Sequence, residues 1–108
     1  MKLVTDSDFE SMVLKAEKPV VVDFFTDSCR PCKMLAPVLE QLDQELDCAD
    51  IVKLDAGGSA TADSFGITSV PTLILFKDGA EVDRIEGLYP RPAIEAWITN
   101  NTADMQDT

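Results

Sequence analysis

The feature that most constrains this chain is an apolar run that leads into a Cys-x-x-Cys pair. The run Val20–Phe25 is apolar except for Asp23, a pattern typical of a central strand covered on both faces. A short polar turn follows it, and then Cys29 and Cys32. Apolar residues beyond the pair recur with a helical period, which predicts a helix over residues 31 to about 46. Cys29 is therefore expected where a buried strand gives way to a helix.

This junction suits the redox chemistry of cysteine. Pro31 fits the first helical turn, where its missing N–H costs nothing. The free N–H groups of that turn point at the cysteine sulfurs and favour the thiolate, which is the reactive form. The pair, set in a βαβ pattern, is predicted to be a dithiol redox site that needs no metal and no bound cofactor.

A zinc half-site is the alternative interpretation of the two cysteines. Zinc takes four ligands, and the chain contains no histidine, so only Cys48 and carboxylates could complete the set. This makes zinc the weaker interpretation. Cys48 itself is predicted to be an ordinary thiol, with a regulatory or dimer-forming role as the alternative.

The charge and hydropathy of the chain exclude some classes of binding partner and indicate where the protein works. The chain has 108 residues, the size of one domain, and a net charge of −11 from 20 acidic and 9 basic residues. That balance argues against nucleic acid and against an anionic membrane surface. The longest apolar runs are only strand-length, and Met1-Lys2 leads into the chain without a signal-peptide pattern. A cytoplasmic monomer is therefore expected.

Strand and helix patterns alternate along the chain. The predicted order is β-α-β-α-β-α-β-β-α, an α/β fold whose mixed central sheet has helices on both faces. One domain is expected over residues 1–108, with a frayed tail from about residue 100. The elements beyond the central strand and its helix are an edge strand at 2–4, a helix begun by a Ser7–Glu10 capping box, a strand at 51–54, a short helix at 60–65, a hairpin of strands 73–76 and 81–85, and a last helix from Pro92.

A series of short motifs, in this order along residues 1 to about 100, resembles the thioredoxin family. They are Val22–Phe24, Cys29–Met34, Ala36-Pro37, Val52–Asp55, Phe65–Ile67, Val70–Thr72 and Phe76–Gly79. The resemblance implies the thioredoxin fold and thiol–disulfide exchange. The chain departs from the family's usual W-C-G-P-C at two positions, where Ser28 replaces the tryptophan and Arg30 the glycine. Both changes are expected at the mouth of the site, so the resemblance does not extend to partner choice or redox potential.

The resemblance also implies roles for single residues. Cys29 would be the attacking cysteine and Cys32 the resolving one. Asp23 would be the buried acid that takes the proton of Cys32 through water, and Lys53 its electrostatic partner. From the residues alone, Asp23 is either a base with a raised pKa or the structural partner of Lys53 in an ion pair. Pro71 would be a cis-proline beside the dithiol.

The expected substrate-binding surface surrounds these groups. Backbone groups of Val70 would bind an extended substrate, and Gly87 would help to form a flat docking rim. Arg30 and Pro31 are expected at the same rim.

The predicted function is thiol–disulfide oxidoreduction that reduces protein disulfides. A thioredoxin reductase would supply the electrons, and disulfide-containing proteins would be the substrates. A more oxidising disulfide-exchange protein is one alternative. A non-catalytic binding module that uses the same rim is the other.

Overall fold

The structure, a computed structural model, describes the backbone of residues 1–106 and the side chains up to residue 103. One sheet of five strands is combined with three α-helices and a short π-helical segment, Glu10–Leu14. No helix in this range is long and apolar enough to cross a membrane. The strands are β1 (Lys2–Leu3), β2 (Val20–Phe25), β3 (Asp50–Asp55), β4 (Thr72–Lys77) and β5 (Ala80–Glu86), and the helices are α1 (Arg30–Glu45), α2 (Ala60–Ser64) and α3 (Arg91–Gln106).

The central strand is β2, in the sheet order β1-β3-β2-β4-β5. Strand β3 pairs with β2 in parallel, whereas β4 pairs with β2 antiparallel. Because β4 runs the opposite way, its first residue, Thr72, lies beside Phe24 at the carboxyl end of β2. The start of α1 and the start of β4 are thus brought to the same end of the sheet. The predicted mixed α/β fold is confirmed.

Each face of the sheet is covered by its own apolar cluster. Alternation along β2 sends Val20, Val22 and Phe24 to one side and Val21 to the other. The first cluster packs against the π-helical segment and the start of α2, with Phe9, Phe65 and Phe76 in edge or tilted contacts. The second cluster packs against α1 and α3 through fully buried side chains, namely Leu35, Leu39, Leu42, Ile94 and Ile98. Asp23 therefore points toward the α1 side of the sheet.

The start of the first helical segment differs from the capping box predicted at Ser7 and Glu10. The residue at the start of the π-helical segment, Phe9, makes no side-chain capping hydrogen bond to the described residues. Instead the Asp8 carboxylate accepts the Thr5 N–H at 2.6 Å. The prediction was wrong because a carboxylate one residue after Ser7 folds the preceding turn and leaves Ser7 outside the helix start.

The last helix runs through the polar sequence after residue 100. Helix α3 continues to Gln106, and the frayed tail expected from about residue 100 stays a prediction. Thr102 is fully buried, and its hydroxyl donates to the Ile98 carbonyl at 2.8 Å. This hydrogen bond satisfies the buried polar group within the helix, so a polar residue does not end it. Residues 107–108 of the predicted tail lie outside the described residues.

Candidate active site

The two cysteines meet at the junction of β2 and α1. Cys29 is the N-cap residue of α1, and its sulfur accepts the Cys32 N–H at 3.1 Å. The two Cα atoms are 5.3 Å apart, and the sulfurs form a disulfide bond. Cys29 is partly exposed, whereas Cys32 retains only 4 % of its exposure. An incoming sulfur can therefore reach Cys29 but not Cys32.

Two other segments close around Cys29. The Val70 carbonyl oxygen lies 3.6 Å from the Cys29 sulfur, and the Val70–Pro71 peptide bond is cis. The Gly87 N–H donates to the Pro71 carbonyl at 2.8 Å. Gly87 has a φ of 101°, a left-handed conformation that glycine adopts without the strain a side chain would bring. The segments around residues 29, 70 and 87 thus form one continuous surface.

Asp23 lies behind the disulfide and is only 2 % exposed. Its Oδ1 atom has no hydrogen-bond partner among the described residues. Burial disfavours the charged carboxylate and raises the pKa of Asp23 to about 7, although the positive charge of Lys53 acts in the opposite direction. Asp23, Cys32 and Lys53 line one open cleft of about 150 Å³. A carboxyl group that titrates near neutrality therefore faces the same space as the buried cysteine.

Lys53 lies beside Asp23 without forming an ion pair with it. The β2–β3 register places the two residues opposite each other. No nitrogen–oxygen contact within 4 Å joins them, and the Lys53 ammonium instead lies 5.7 Å from the centre of the Phe25 ring. Phe25 was not predicted as a site residue. The signal that could have found it is its position two residues after Asp23, which puts both side chains on one face of β2.

The remaining predicted positions lie at the mouth of the site. Arg30 and Pro31 are exposed in the first turn of α1, and Ser28 is exposed just before it. Cys48 is a free, half-buried thiol beyond the other end of α1, where it packs at the edge of the α1-side cluster. The structure therefore brings together every predicted site residue and keeps Cys48 apart from them.

A disulfide with one accessible sulfur, a buried carboxyl behind it and a partly exposed backbone segment beside it defines a dithiol–disulfide redox domain. The family model "Thioredoxin" matches residues 1–100. Curated relatives, each called thioredoxin, agree with this match. That of Chlamydia muridarum is 44 % identical over 102 residues, which cover 94 % of this chain and 98 % of the relative. That of Staphylococcus epidermidis is 49 % identical over 90 residues, or 82 % and 85 %. That of Rickettsia bellii is 39 % identical over 100 residues, or 91 % and 95 %.

The chain belongs to the thioredoxin family. It is a thiol–disulfide oxidoreductase whose redox-active pair is Cys29 and Cys32.

Proposed function

We propose that the protein works as a reductant of protein disulfides, with Cys29 as the attacking cysteine and Cys32 as the resolving one. The observation that carries this assignment is the unequal exposure of the two sulfurs. The Cys29 thiolate attacks one sulfur of a substrate disulfide, a mixed disulfide forms, and one substrate thiolate leaves. The Cys32 thiolate then attacks the Cys29 sulfur and releases the second substrate thiolate. Two electrons pass to the substrate, and the Cys29–Cys32 bond re-forms.

Asp23 is proposed as the group that accepts the proton of Cys32 in the second step. A base works best when its pKa lies near the working pH, and burial brings the pKa of Asp23 to about 7. The cleft shared by Asp23 and Cys32 is roomy enough for bridging water. Lys53 is proposed as the electrostatic partner of Asp23, because its positive charge favours the carboxylate once the proton has been accepted.

The substrate is proposed to lie along the surface formed by Val70, Pro71 and Gly87. The Val70 backbone lies against the Cys29 sulfur, where an extended substrate chain could pair with it. Arg30 and Pro31 would contact the substrate from the first turn of α1, on the other side of Cys29.

Each turnover leaves the protein oxidised, so a second protein must return it to the dithiol. We propose a thioredoxin reductase in this role, with the protein carrying electrons from it to disulfide-containing proteins. A net reductant works where thiols stay reduced, which supports a cytoplasmic location. All the proposed catalytic groups come from one chain, which supports action as a monomer.

Trapping of the mixed disulfide tests this function. The reduced Cys32→Ser variant, mixed with a protein that has an accessible disulfide, should accumulate a one-to-one covalent adduct by intact mass, because a serine hydroxyl cannot resolve it. The matched Cys29→Ser variant should form none, since Cys32 is buried. Adducts of equal yield with both variants would contradict the assignment of the attacking cysteine. A binding module without turnover would form no adduct with either variant, and wild-type protein would leave the substrate disulfide intact.

A further inference from the structure

We infer that Arg30 and Lys33 form a basic rim that selects protein disulfides flanked by acidic residues. This inference rests on the proposed function, because it names the class of substrate which that function would prefer. The basic rim comprises these two residues only.

The basic rim lies on the first turn of α1, which directly follows Cys29, the cysteine with the accessible sulfur. Arg30 lies between the two cysteines and Lys33 directly follows the second, three residues further along α1. Residues at this spacing are neighbours on a helix surface. Both side chains are exposed, and neither forms an ion pair with a side chain that the structure describes. Their charges are therefore free to meet a substrate.

The rest of the molecule offers few free positive charges. The chain has 20 acidic residues against 9 basic ones. Away from the site, the basic side chains in ion pairs with described carboxylates are Lys18, Lys77, Arg84 and Arg91. Near the mouth, exposed acidic residues include Asp27, which lines the same cleft as Lys33, and Glu86, which precedes Gly87 on the opposite side of the rim. Apart from the partly exposed Lys53 in the cleft, the positive charge at the mouth thus lies on the α1 side.

Screening makes this local charge more important than the net charge. At about 0.15 M ionic strength the Debye length is about 8 Å, so remote carboxylates act weakly on a bound peptide. At a separation of roughly 6 Å between a substrate carboxylate and each rim cation, Coulomb's law with an effective dielectric constant near 60, reduced by that screening, gives about a twofold preference over a neutral residue per charge pair. Two rim cations should therefore make acidic flanks about fourfold better than neutral ones, and basic flanks should be worse than neutral ones.

The experiment compares three fluorogenic peptide homodisulfides that differ only at the residues flanking cysteine, which are glutamate, glutamine or lysine. Pre-reduced protein is mixed with each at 0.15 M ionic strength, and the second-order rate constant of reduction is measured. Wild-type protein should give a glutamate-to-glutamine rate ratio of roughly four, with the lysine peptide reduced more slowly than either. Arg30→Gln should lower that ratio to about twofold, and Lys33→Gln should lower it as well. Any effect of Arg30 on the reactivity of Cys29 is common to all three peptides and cancels in the ratio.

Lys15→Gln is the matched control. Lys15 is exposed, has no ion pair with a described side chain, and follows the π-helical segment toward the far end of the sheet. The substitution removes the same charge without touching the basic rim, so the ratio should not change. A wild-type ratio near one, a ratio unaffected by Arg30→Gln, or an equal loss with Lys15→Gln would overturn the inference. Failure of the wild-type protein to reduce any of the peptides would instead contradict the proposed function.

Discussion

Replacement of Asp23 by asparagine should change how the stability of the protein depends on pH. Asparagine keeps the volume of the side chain but cannot ionise. Below about pH 3 the wild-type carboxyl is neutral in both the folded and the unfolded chain, so its ionisation costs nothing. As the pH rises from 3.8, the unfolded value, toward the folded value of about 7, the unfolded chain loses the proton and the folded chain keeps it. The wild-type free energy of unfolding therefore falls across this window and then levels off.

The size of the effect follows from the two pKa values of Asp23. A difference of roughly three between them corresponds to about 4 kcal/mol of stability that the wild-type protein loses by pH 8. Because Asp23 is 2 % exposed, solvent does not screen this cost appreciably. The Asp23→Asn variant has no carboxyl at this position and does not lose this stability. The variant should thus gain about 4 kcal/mol relative to wild type between pH 4 and pH 8, whatever constant cost its buried amide adds.

Urea unfolding of the two oxidised proteins at pH 4, 6 and 8 measures this difference. Asp47→Asn is the matched control, because Asp47 is exposed and lies outside the site, and it should show no comparable trend. A difference between Asp23→Asn and wild type that is the same at all three pH values would refute the proposed ionisation of the buried carboxyl.

The same variant tests the kinetic role of Asp23. If Asp23 accepts the proton of Cys32, Asp23→Asn should slow the release of substrate from the mixed disulfide by at least about tenfold at pH 7. Rapid quenching of a single turnover measures that step. An unchanged rate would remove Asp23 from the mechanism while leaving the stability argument intact.

Three further outcomes are expected. Arg30→Gln should make the reduction potential more negative by roughly 15–20 mV at low salt, because a positive charge about 7 Å from the Cys29 thiolate stabilises the reduced form by about 0.8 kcal/mol. Equilibration with glutathione measures the potential, and a shift of opposite sign would refute this electrostatic effect of Arg30. Formation of the disulfide should barely alter tryptophan emission, since Trp97, the only tryptophan, lies on α3 and donates to Asp83 on β5. Leu39→Ala should lower the free energy of unfolding by about 2–5 kcal/mol in urea titrations, because Leu39 is fully buried on α1; a loss below about 1 kcal/mol would contradict its place in the core.

Local patterns in the chain were sufficient to predict most of the elements. The apolar run of β2 has the predicted bounds, Val20–Phe25, because a strand buried on both faces needs an unbroken apolar sequence. Helix α1 begins at Arg30, one residue before its predicted start. The prediction came this close because the proline and the apolar period that mark the helix are properties of residues near each other in the chain. The capping box at Ser7 failed because the neighbouring Asp8 carboxylate forms a local turn with the Thr5 N–H and the helical segment starts beyond Ser7, and a motif does not say which nearby polar side chain shapes the backbone.

The chain by itself therefore determined the order of the elements, the position of the dithiol between β2 and α1, and the unusual acid at Asp23. The local patterns did not determine what surrounds them; the family resemblance gave expectations for these neighbours, and the tertiary structure decided their contacts. The contact of Val70 with Cys29 joins residues 41 positions apart in the chain. The position of the Lys53 ammonium over the Phe25 ring, rather than in an ion pair with Asp23, depends on the β2–β3 register. The period of apolar residues predicts the secondary structure of each segment and the face that it buries. Contacts between distant segments depend on the order and direction of the strands, which the packing of the whole sheet sets.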